Sequence, residues 1–404
     1  MNSNVLEIIK KIARNNDFYN QKYNCNDFCS IEEIPFLKKK ELIEDQKNNP
    51  PFGKLLNCPM KDIIRIHRTS GTSQAPLFIP ITLGDENVIK KIGAKAFKQL
   101  GISEDEIVIN CMNYSMWMGG MMDHLSIQES GAIVIPFGVG YTENLIQLIL
   151  GLKKVSIHAT PSYMKIIKNV LKEKYGKEPK ELGLLRGYFG GESALQSNLF
   201  REKLESEWGF EAYNANYGLS EVMSIFGGEC RAKKGLHFLA DGSLYAELID
   251  VNNQIVNIET NATGELILTN LDMEAQPLIR YKTGDVIKII STGICECGES
   301  SFRFEIIGRT DDMIVVKGIN FFPESIRNYI CNISSFTGNY RVIAPKDNPV
   351  EQFEIEVECN SINADDVEIL GKKIQSNLFV NPKIKTTSKI ENDEGNKFKL
   401  LRRV

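Results

Sequence analysis

Several features that would assign a protein to a special class are scarce in this chain. Its nine cysteines among 404 residues are an odd number at uneven spacing, which argues against a disulfide framework. The net charge of -4 leaves no general excess of basic groups for non-specific nucleic-acid binding. No apolar run approaches the ~20 residues of a membrane span, and residues 1–19 lack the unbroken apolar stretch of a signal peptide. We therefore expect a cytoplasmic protein that binds neither nucleic acid nor a membrane.

Internal repeats and low-complexity tracts are also missing, and the order of hydrophobic patterns predicts the fold. Between residues 85 and 200, strand patterns alternate with helical patterns of about 10–15 residues, which indicates a parallel sheet with helical crossovers. The expected helices are 87–100, 123–130, 143–152, 163–173 and 195–207, and the expected strands are 106–111, 132–136, 155–158 and 184–190. From 236 to 292, apolar and polar residues alternate between turns, as is typical of antiparallel strands.

The C-terminal part of the chain has a different, mixed pattern. Strands are expected near residues 313, 341 and 353, followed by a helix at 365–378 and a strand at 383–390. We place a domain boundary at about Gly308. The expected fold class is α/β, with a large N-terminal domain (1–308) of parallel α/β sheets and a β-rich portion. A small C-terminal α+β domain (309–404) follows.

A short polar loop, RTSGTS at 68–73, precedes the apolar run 77–81. Backbone amides exposed by a glycine, together with hydroxyl groups, make a site for an anion such as phosphate. A solvated hairpin turn has the same composition. The loop lacks the Gly-Lys-Ser/Thr ending of the P-loop of kinase-like NTPases. By itself, the loop therefore leaves both interpretations open.

Four further stretches accompany this loop and give it a context. In chain order the five stretches are RTSGTS (68–73), YFGGES (188–193), YGLSEV (217–222), RYKTGD (280–285) and GRTDDMIVVKGINFFP (308–323). Together they resemble the adenylate-forming superfamily of acyl-CoA ligases, peptide-synthetase adenylation domains and luciferases. Three more stretches resemble its phenylacetate–CoA ligase branch, namely FYNQKY (18–23), TPSY (160–163) and GECRAKKGLH (228–237). The resemblance extends over nearly the whole chain.

The resemblance implies an activity and leaves its acceptor open. Such enzymes join a carboxylic acid to ATP with Mg2+, release pyrophosphate, and transfer the acyl group from the acyl-adenylate to CoA. An amine acceptor, which would give an amide, and a carrier-protein thiol are alternatives, because no stretch marks a CoA nucleotide site. A non-catalytic ATP-binding module is a further alternative, since Gln74 and Ala75 stand where family loops often carry lysine. Homodimers are common in the superfamily, although the residues themselves indicate no oligomeric state.

Matching positions carry the family's nucleotide-binding roles over to this chain. The expected nucleotide-binding residues are Thr69, Ser70, Gly71, Thr72 and Ser73 for the phosphates, Gly191, Glu192, Tyr217 and Gly218 for adenine, Asp285 for the ribose, and Arg309 for the ribose or a phosphate. Glu221 would hold Mg2+ near the α-phosphate, although the same acid is typical of a solvated helix start. Asp285 is likewise typical of a β-turn. Asp311 matches the hinge about which the small, mobile C-terminal domain swings.

The family's catalytic lysine, which reaches the α-phosphate and carboxylate oxygens, has two candidates in the ending EGNKFKLLRRV. Lys397 follows EGN and fits the Gly-Lys-Phe endings of this branch, with Asn396 in the glycine's place. Lys399 fits the endings of other branches. On a strand the two side chains share a face. We favour Lys397, and a flexible ammonium suits charge that builds up in the transition state.

The acid pocket is expected around residues 114–124 and the strand ends beside them. Its candidate residues are Tyr114, Trp117, Met118, His124, Phe137, Tyr163 and Gly190. Their soft apolar surface suits a flat aromatic acid, although a branched or short aliphatic acid also fits. The methionines are equally typical of an ordinary core, and a single histidine is often structural.

Four residues could form a structural metal site. Cys230 and His237 are close in sequence, and Cys295 and Cys297 lie on one turn. A set of three cysteines and one histidine is a tetrahedral ligand set that structural zinc favours. Four reduced side chains without a metal would show the same sequence. Any such zinc would be structural, because all four ligands would come from the protein.

Overall fold

The computed structural model describes residues 2–23, 28–69, 75–361, 363–391 and 399–404. Within it the chain forms two compact units. The first unit consists of Met1–Ser193, Glu205–Thr283 and Lys288–Glu305, and the second of Ala194–Leu204, Gly284–Ile287 and Ile306–Val404. The expected boundary at Gly308, and the role of the smaller part as a lid, stay predictions.

Three helices begin the first unit: α1 (Asn2–Arg14), α2 (Asp17–Lys22) and α3 (Lys39–Asn48). The Asn16 side chain caps α2 by accepting hydrogen bonds from the amides of Phe18 and Tyr19. Tyr19 is fully buried, and its hydroxyl donates to the Pro277 carbonyl and accepts from the Ile279 amide. These bonds fix the N-terminal helices against the segment just before Tyr281.

A two-stranded antiparallel hairpin carries the polar loop between its strands, β1 (Ile63–Arg68) and β2 (Phe78–Thr82). Helix α4 (Leu83–Gln99) follows directly. It begins with a capping box, in which the Thr82 side chain accepts from the Asp85 amide and the Asp85 carboxylate accepts from the Thr82 amide.

The predicted parallel sheet is confirmed. Its strands are β3 (Ile107–Asn110), β4 (Ile133–Pro136), β5 (Ser156–Ala159), β6 (Arg186–Phe189) and β7 (Glu211–Asn214), in the order β4-β3-β5-β6-β7. The crossover helices are α5 (Met118–Glu129), α6 (Thr142–Leu152), α7 (Pro161–Tyr175) and α8 (Asn198–Trp208). The carboxyl ends of these parallel strands therefore meet at one edge, where α/β sheets usually bind ligands.

Three helix starts differ from the sequence-based expectation by three or more residues, and one of them is α4, which begins at Leu83 instead of 87. Helix α5 begins at Met118, five residues before the expected start, because its glycine pair does not break the helix. A side chain at Gly120 would place Cβ 2.2 Å from the Asn113 carbonyl oxygen, so the close approach there requires glycine. The helix expected at 195–207 was wrong at its start, where a 3-10 turn (Ser193–Gln196) precedes α8.

The expected antiparallel region is a larger, eight-stranded sheet. Its strands are β8 (Tyr217–Leu219), β9 (Met223–Gly228), β10 (Leu236–Phe238), β11 (Leu244–Ile249), β12 (Ile255–Val256), β13 (Thr263–Asn270), β14 (Tyr281–Ser291) and β15 (Arg303–Arg309), in the order β12-β11-β13-β14-β15-β10-β9-β8. Strand β8 lies at one edge of this sheet. The YGLSEV stretch begins in this strand and continues into the turn that leads to β9, and no helix directly follows β8.

The C-terminal part of the second unit is an α+β structure with its own core. Its elements are β16 (Ile314–Val316), β17 (Ile319–Phe321), α9 (Arg327–Cys331), β18 (Phe336–Ala344), β19 (Glu354–Cys359), α10 (Ala364–Leu378), β20 (Lys383–Thr387) and β21 (Leu401–Arg403). Four of the strands form a sheet in the order β20-β19-β18-β21. Strand β20 ends three residues before expected, because the Thr387 hydroxyl turns the chain by bonding to the backbone of Lys389.

Across the described ranges, no helix combines the length and the apolar character that crossing a membrane requires.

Candidate active site

Glu221 lies in the turn between β8 and β9, and its side chain is only 8% exposed. One oxygen, Oε1, accepts hydrogen bonds from Lys39 Nζ at 2.9 Å and from the Tyr281 hydroxyl at 2.8 Å. Burial alone would raise the pKa of the Glu221 carboxyl. The Lys39 ammonium and the hydrogen bonds outweigh burial and lower that pKa below its usual value. The interpretation as a solvated helix-start acid is wrong, because no helix begins there and the carboxylate is buried.

Tyr217 occupies β8, and two aromatic rings hold its orientation. Its ring meets those of Phe226 and Phe304 edge to face, at centroid separations of 4.9 Å and 5.6 Å. The neighbouring Gly218 is required by packing, since a Cβ there would lie 2.0 Å from the Ser224 carbonyl oxygen. The ring of Tyr217 is half-buried, and its stacking on adenine stays a prediction.

The GGES stretch leaves the carboxyl end of β6. A Cβ at Gly190 would lie 1.9 Å from Asn216 Oδ1, so glycine lets this turn approach the YGLSEV segment. The Glu192 carboxylate accepts from the Ser162 amide at 3.0 Å and from the Ser162 hydroxyl at 2.5 Å. Glu192 thereby stabilises the amino end of α7 and joins the loops that follow β5 and β6. Gly191, between Gly190 and Glu192 in the chain, has a left-handed backbone conformation with φ +76°.

Thr69 is the one candidate phosphate-loop residue that falls in the described part of the chain. It is buried, its amide donates to the Leu77 carbonyl, and its hydroxyl accepts from the Leu77 amide, both at 2.9 Å. These bonds close the neck of the loop. The other candidates, Ser70, Gly71, Thr72 and Ser73, lie outside the described residues. The Arg68 amide donates to the Met116 carbonyl, which ties the loop to the expected pocket segment.

Tyr114 and His124, two candidates for the acid pocket, lie together. The Asn110 side-chain amide donates to the Tyr114 hydroxyl oxygen at 2.8 Å, and that hydroxyl lies 3.2 Å from His124 Nδ1. With Asn110 as the donor, the tyrosine proton points to Nδ1. Burial lowers the pKa of His124, so the imidazole is neutral and can accept this proton. Asn110 was missed from the sequence because a strand-end amide carries no distinct signal.

Met112 is a second pocket residue that the sequence did not indicate. Its methyl carbon lies 3.6 Å from where a Cβ on Gly191 would stand, and 3.8 Å from the corresponding point on Gly119. The thioether therefore fills the space between the loop after β6 and the start of α5. The Tyr114 ring and the Met112 carbonyl oxygen both lie near Gly138, at 3.5 Å and 4.0 Å from where a Cβ on that glycine would stand.

The remaining pocket candidates lie at the same edge of the parallel sheet but differ in exposure. Trp117 is the residue that precedes α5 and is partly buried, whereas Met118 is 1% exposed, which is typical of core. The amide of Phe137 donates to the Asn110 carbonyl just beyond β4. The Tyr163 hydroxyl lies 3.1 Å from Thr142 Oγ1, and burial raises the pKa of Tyr163.

Within the second unit, Asp285 is buried in β14 and forms an ion pair with Arg309. The interpretation of TGD as a β-turn is wrong, because these residues lie in a long strand in which Gly284 has φ +77°. Arg309 Nη2 also lies 3.6 Å from Asp311, whose side chain is 68% exposed. Arg309 thus contacts both Asp285, the proposed ribose ligand, and Asp311, the proposed hinge residue.

The two candidate lysines differ in what the structure describes. Lys397 lies outside the described residues. Lys399 is exposed, and its carbonyl oxygen accepts from Arg341 Nε at 3.3 Å, just before β21. The choice between the two lysines stays a prediction.

The four proposed metal ligands, Cys230, His237, Cys295 and Cys297, converge in the first unit, where their ligand atoms all lie within 4.8 Å of one another. Cys230 Sγ lies 3.8 Å from Cys295 Sγ, and Cys297 Sγ lies 3.6 Å from His237 Nε2. Tetrahedral zinc with usual bond lengths would separate such ligand atoms by about 3.8 Å and about 3.6 Å. The residues therefore fit a zinc ion, with His237 supplied by β10.

Comparison with known proteins identifies the family. A family model described as the AMP-binding enzyme C-terminal domain matches residues 318–400. The phenylacetate–coenzyme A ligase of Aromatoleum evansii is 30% identical over 357 residues, covering 87% of this chain and 78% of that protein. The enzyme of the same name from Escherichia coli (strain K12) is 28% identical, covering 87% and 79%.

A solved structure shows the same fold. The crystal structure of 2-hydroxyisobutyryl-CoA ligase in the postadenylation state, in complex with R3-HIB-AMP, has a TM-score of 0.86 at 22% identity. The match covers 100% of this chain and 89% of that chain. The chain belongs to the phenylacetate–coenzyme A ligase family of adenylate-forming enzymes and is an AMP-forming acid ligase.

Proposed function

We propose that the protein activates an aromatic carboxylic acid with ATP and Mg2+, and then transfers the acyl group to CoA. The observation that carries this proposal is the buried, ionised Glu221 beside Tyr217 on the edge turn after β8. A buried carboxylate with a lowered pKa is an oxygen ligand of the kind that Mg2+ binds together with phosphate groups. Family membership supplies the reaction class.

The charge problem of the first step explains the arrangement. A carboxylate oxygen of the acid attacks the α-phosphorus, the bond to the β,γ-phosphate unit breaks, and pyrophosphate leaves. Both reactants are anions, so Mg2+, when bound at Glu221, would neutralise charge on the phosphates. The loop from Thr69 to Ser73 would hold the leaving group with amides and hydroxyls. Lys397, or Lys399 in its place, would reach the α-phosphate and carboxylate oxygens.

The second step needs the adenylate to be held while a thiol approaches. The CoA sulfur attacks the acyl carbonyl, a thioester forms, and the bond to AMP breaks. Tyr217 and Gly218 would hold the adenine of the adenylate, Asp285 would bind its ribose, and Arg309 would reach the ribose or the phosphate. We assign Asp311 to a hinge that lets residues after about 308 move between the two steps, as lid segments do in many enzymes.

The aromatic class is proposed from the residues at the pocket. Met112, Tyr114 and His124 supply a thioether, a phenol and a neutral imidazole near Gly119, Gly138 and Gly191, and aromatic rings pack well against such groups. Neither Tyr114 nor His124 brings a net charge to this region. The relatives named phenylacetate–coenzyme A ligase support the same class.

We also propose that Cys230, His237, Cys295 and Cys297 hold a structural zinc ion. The observed sulfur–sulfur and sulfur–nitrogen separations support this assignment. The four protein ligands complete a tetrahedral shell and leave no position for substrate, so the ion would tie β10 to the turn after β14 without taking part in the reaction.

Acid-dependent pyrophosphate release tests the proposed function. The purified protein would be incubated with ATP, Mg2+ and a panel of phenylacetates, benzoates, hydroxybenzoates, aminobenzoates and short aliphatic acids, with and without CoA. Product mass separates a thioester from an amide or a retained adenylate. We expect release with aromatic acids, a thioester with CoA, and loss of release in Glu221→Gln. Release with aliphatic acids alone would refute the aromatic class, and no release with any acid would refute the activity.

A further inference from the structure

Lys39 is the cation that the described residues place on the magnesium candidate Glu221. Its Nζ lies 2.9 Å from Glu221 Oε1, and the Tyr281 hydroxyl donates to that same oxygen at 2.8 Å. The Lys39 side chain is 33% exposed, whereas the Glu221 side chain is 8% exposed. The Glu221 carboxylate thus accepts hydrogen bonds at Oε1 from side chains on two separate elements, α3 and β14.

The backbone fixes Lys39 in this place. Leu37 pairs with the start of β14, because its amide donates to the Arg280 carbonyl at 3.0 Å and its carbonyl accepts from the Lys282 amide at 2.9 Å. Helix α3 begins two residues later, at Lys39 itself. Because Leu37 lies opposite Tyr281, the Lys39 side chain and the Tyr281 hydroxyl reach Glu221 as parts of one assembly.

We infer that Lys39 is a positioning residue for the adenylation reaction, which holds Glu221 by Oε1 so that Oε2 faces the Mg2+ bound with ATP. This inference rests on the function proposed above. An outer ligand that fixes a metal-binding carboxylate is a common feature of metal sites. The phosphate loop carries Gln74 and Ala75 where family loops often have a lysine. Lys39 adds a positive charge to the magnesium candidate from a different part of the chain.

Asp45, a further charged group near this assembly in the described part of the chain, is an anion and does not replace Lys39. Asp45, also on α3, lines the same small cavity as Glu221. The Asp45 carboxylate accepts hydrogen bonds from the amides of Lys54 and Leu55 and from the Asn49 side chain, and these donors satisfy its oxygens. Tyr281 contributes a neutral donor from β14. When Lys39 is removed, burial acts on Glu221 without an opposing cation.

The run Lys38, Lys39, Lys40 provides a matched control on the same helix. Lys40 is 78% exposed and lies 3.6 Å from Glu44 at the surface. Lys39→Met and Lys40→Met make the same chemical change one residue apart. The experiment measures ATP binding by calorimetry over a range of Mg2+ concentrations, without any acid, and pyrophosphate release with the best acid over the same range. Thermal unfolding checks that both variants fold.

We expect Lys39→Met to need about 10-fold or more Mg2+ for half-maximal ATP binding, the lower end of what outer-shell changes cost. Lys40→Met should match the wild type, and Lys39→Arg should keep most of the affinity. In a Glu221→Gln background, Lys39→Met should cost nothing further.

The outcomes separate this inference from the proposed function. Equal Mg2+ dependence in Lys39→Met and Lys40→Met would overturn the role of Lys39. Additive losses from Lys39→Met and Glu221→Gln would also overturn it, because Lys39 would then act without Glu221. The wild type could bind ATP in a Mg2+-dependent way that Lys39→Met weakens, and still release no pyrophosphate. That result would support the role of Lys39 in Mg2+ binding and reject the ligase activity. A wild type that binds no ATP would reject both.

Discussion

Arg280 should be among the residues whose loss destabilises the first unit most, because its charge is buried and fully engaged. The residue is 2% exposed. Its guanidinium donates to both carboxylate oxygens of Glu247, at 3.1 Å and 2.9 Å. It also donates to the carbonyl oxygens of Glu32 and Ile34, at 2.9 Å and 2.6 Å. Arg280→Met removes the positive charge and leaves the Glu247 carboxylate buried without a partner.

The expected loss is about 3–5 kcal/mol of unfolding free energy, the usual cost of removing one partner of a buried ion pair. The Glu32 carbonyl is partly exposed and regains a water, so it adds little. Burial raises the pKa of Glu247 even with Arg280 opposing it. In Arg280→Met, burial and the nearby Glu32 charge both raise the pKa of Glu247 without opposition from Arg280, so the folded protein binds the Glu247 proton more tightly than the unfolded chain does. The deficit should therefore shrink as the pH falls from about 7.5 to about 5.5.

Urea unfolding followed by tryptophan fluorescence measures this effect. The chain has two tryptophans, Trp117 and Trp208, and both lie in the first unit together with Arg280. The control is Arg280→Met combined with Glu247→Met, which should recover most of the loss because apolar groups can replace a buried ion pair. A loss under about 1 kcal/mol, or a deficit that grows at lower pH, would refute the reasoning.

The remaining predictions concern the metal cluster and the acid pocket. Purified protein should contain one zinc per chain, and Cys295→Ser should lose it and lower Tm, with roughly 2–4 °C for each kcal/mol lost. Metal analysis that finds no zinc in freshly purified wild type would contradict the site, and Cys331→Ser is the control outside the cluster. Met112→Ala should enlarge the gap beside Gly191 and shift kcat/KM toward larger ring-bearing acids by about 10-fold or more. An unchanged order of acids in the panel would show that Met112 does not limit the pocket.

The fold was predictable in outline because the strands of each sheet have their own pattern of apolar and polar residues in the sequence. The parallel sheet followed from buried aliphatic runs separated by amphipathic helices, and the antiparallel sheet from strict alternation. The errors arose where tertiary contacts override local signals. The helix expected from 123 begins at Met118, so Gly119 and Gly120 lie inside α5, where Gly120 meets the Asn113 backbone at a distance that only glycine allows.

The candidate site was predictable only where the chain keeps a contiguous motif. YGLSEV indicated Glu221, and the structure shows its carboxylate buried in a turn. Lys39 and Met112 belong to no such motif. In sequence, Lys39 is the middle of three lysines, and only the pairing of Leu37 with the start of β14 selects it. Met112 is one methionine among several, distinguished by the glycines around its methyl group.

The magnesium role proposed for Glu221 depends on more than its motif. A carboxylate that is 8% exposed tends to keep its proton, since burial disfavours the charged form. A protonated carboxyl is a poor ligand for Mg2+, so the residue needs a neighbouring cation before the metal arrives. Lys39 meets that need from a helix more than 180 residues earlier in the chain, at 2.9 Å. In the proposed magnesium site, the placement of α3 against β14 therefore matters as much as the glutamate itself.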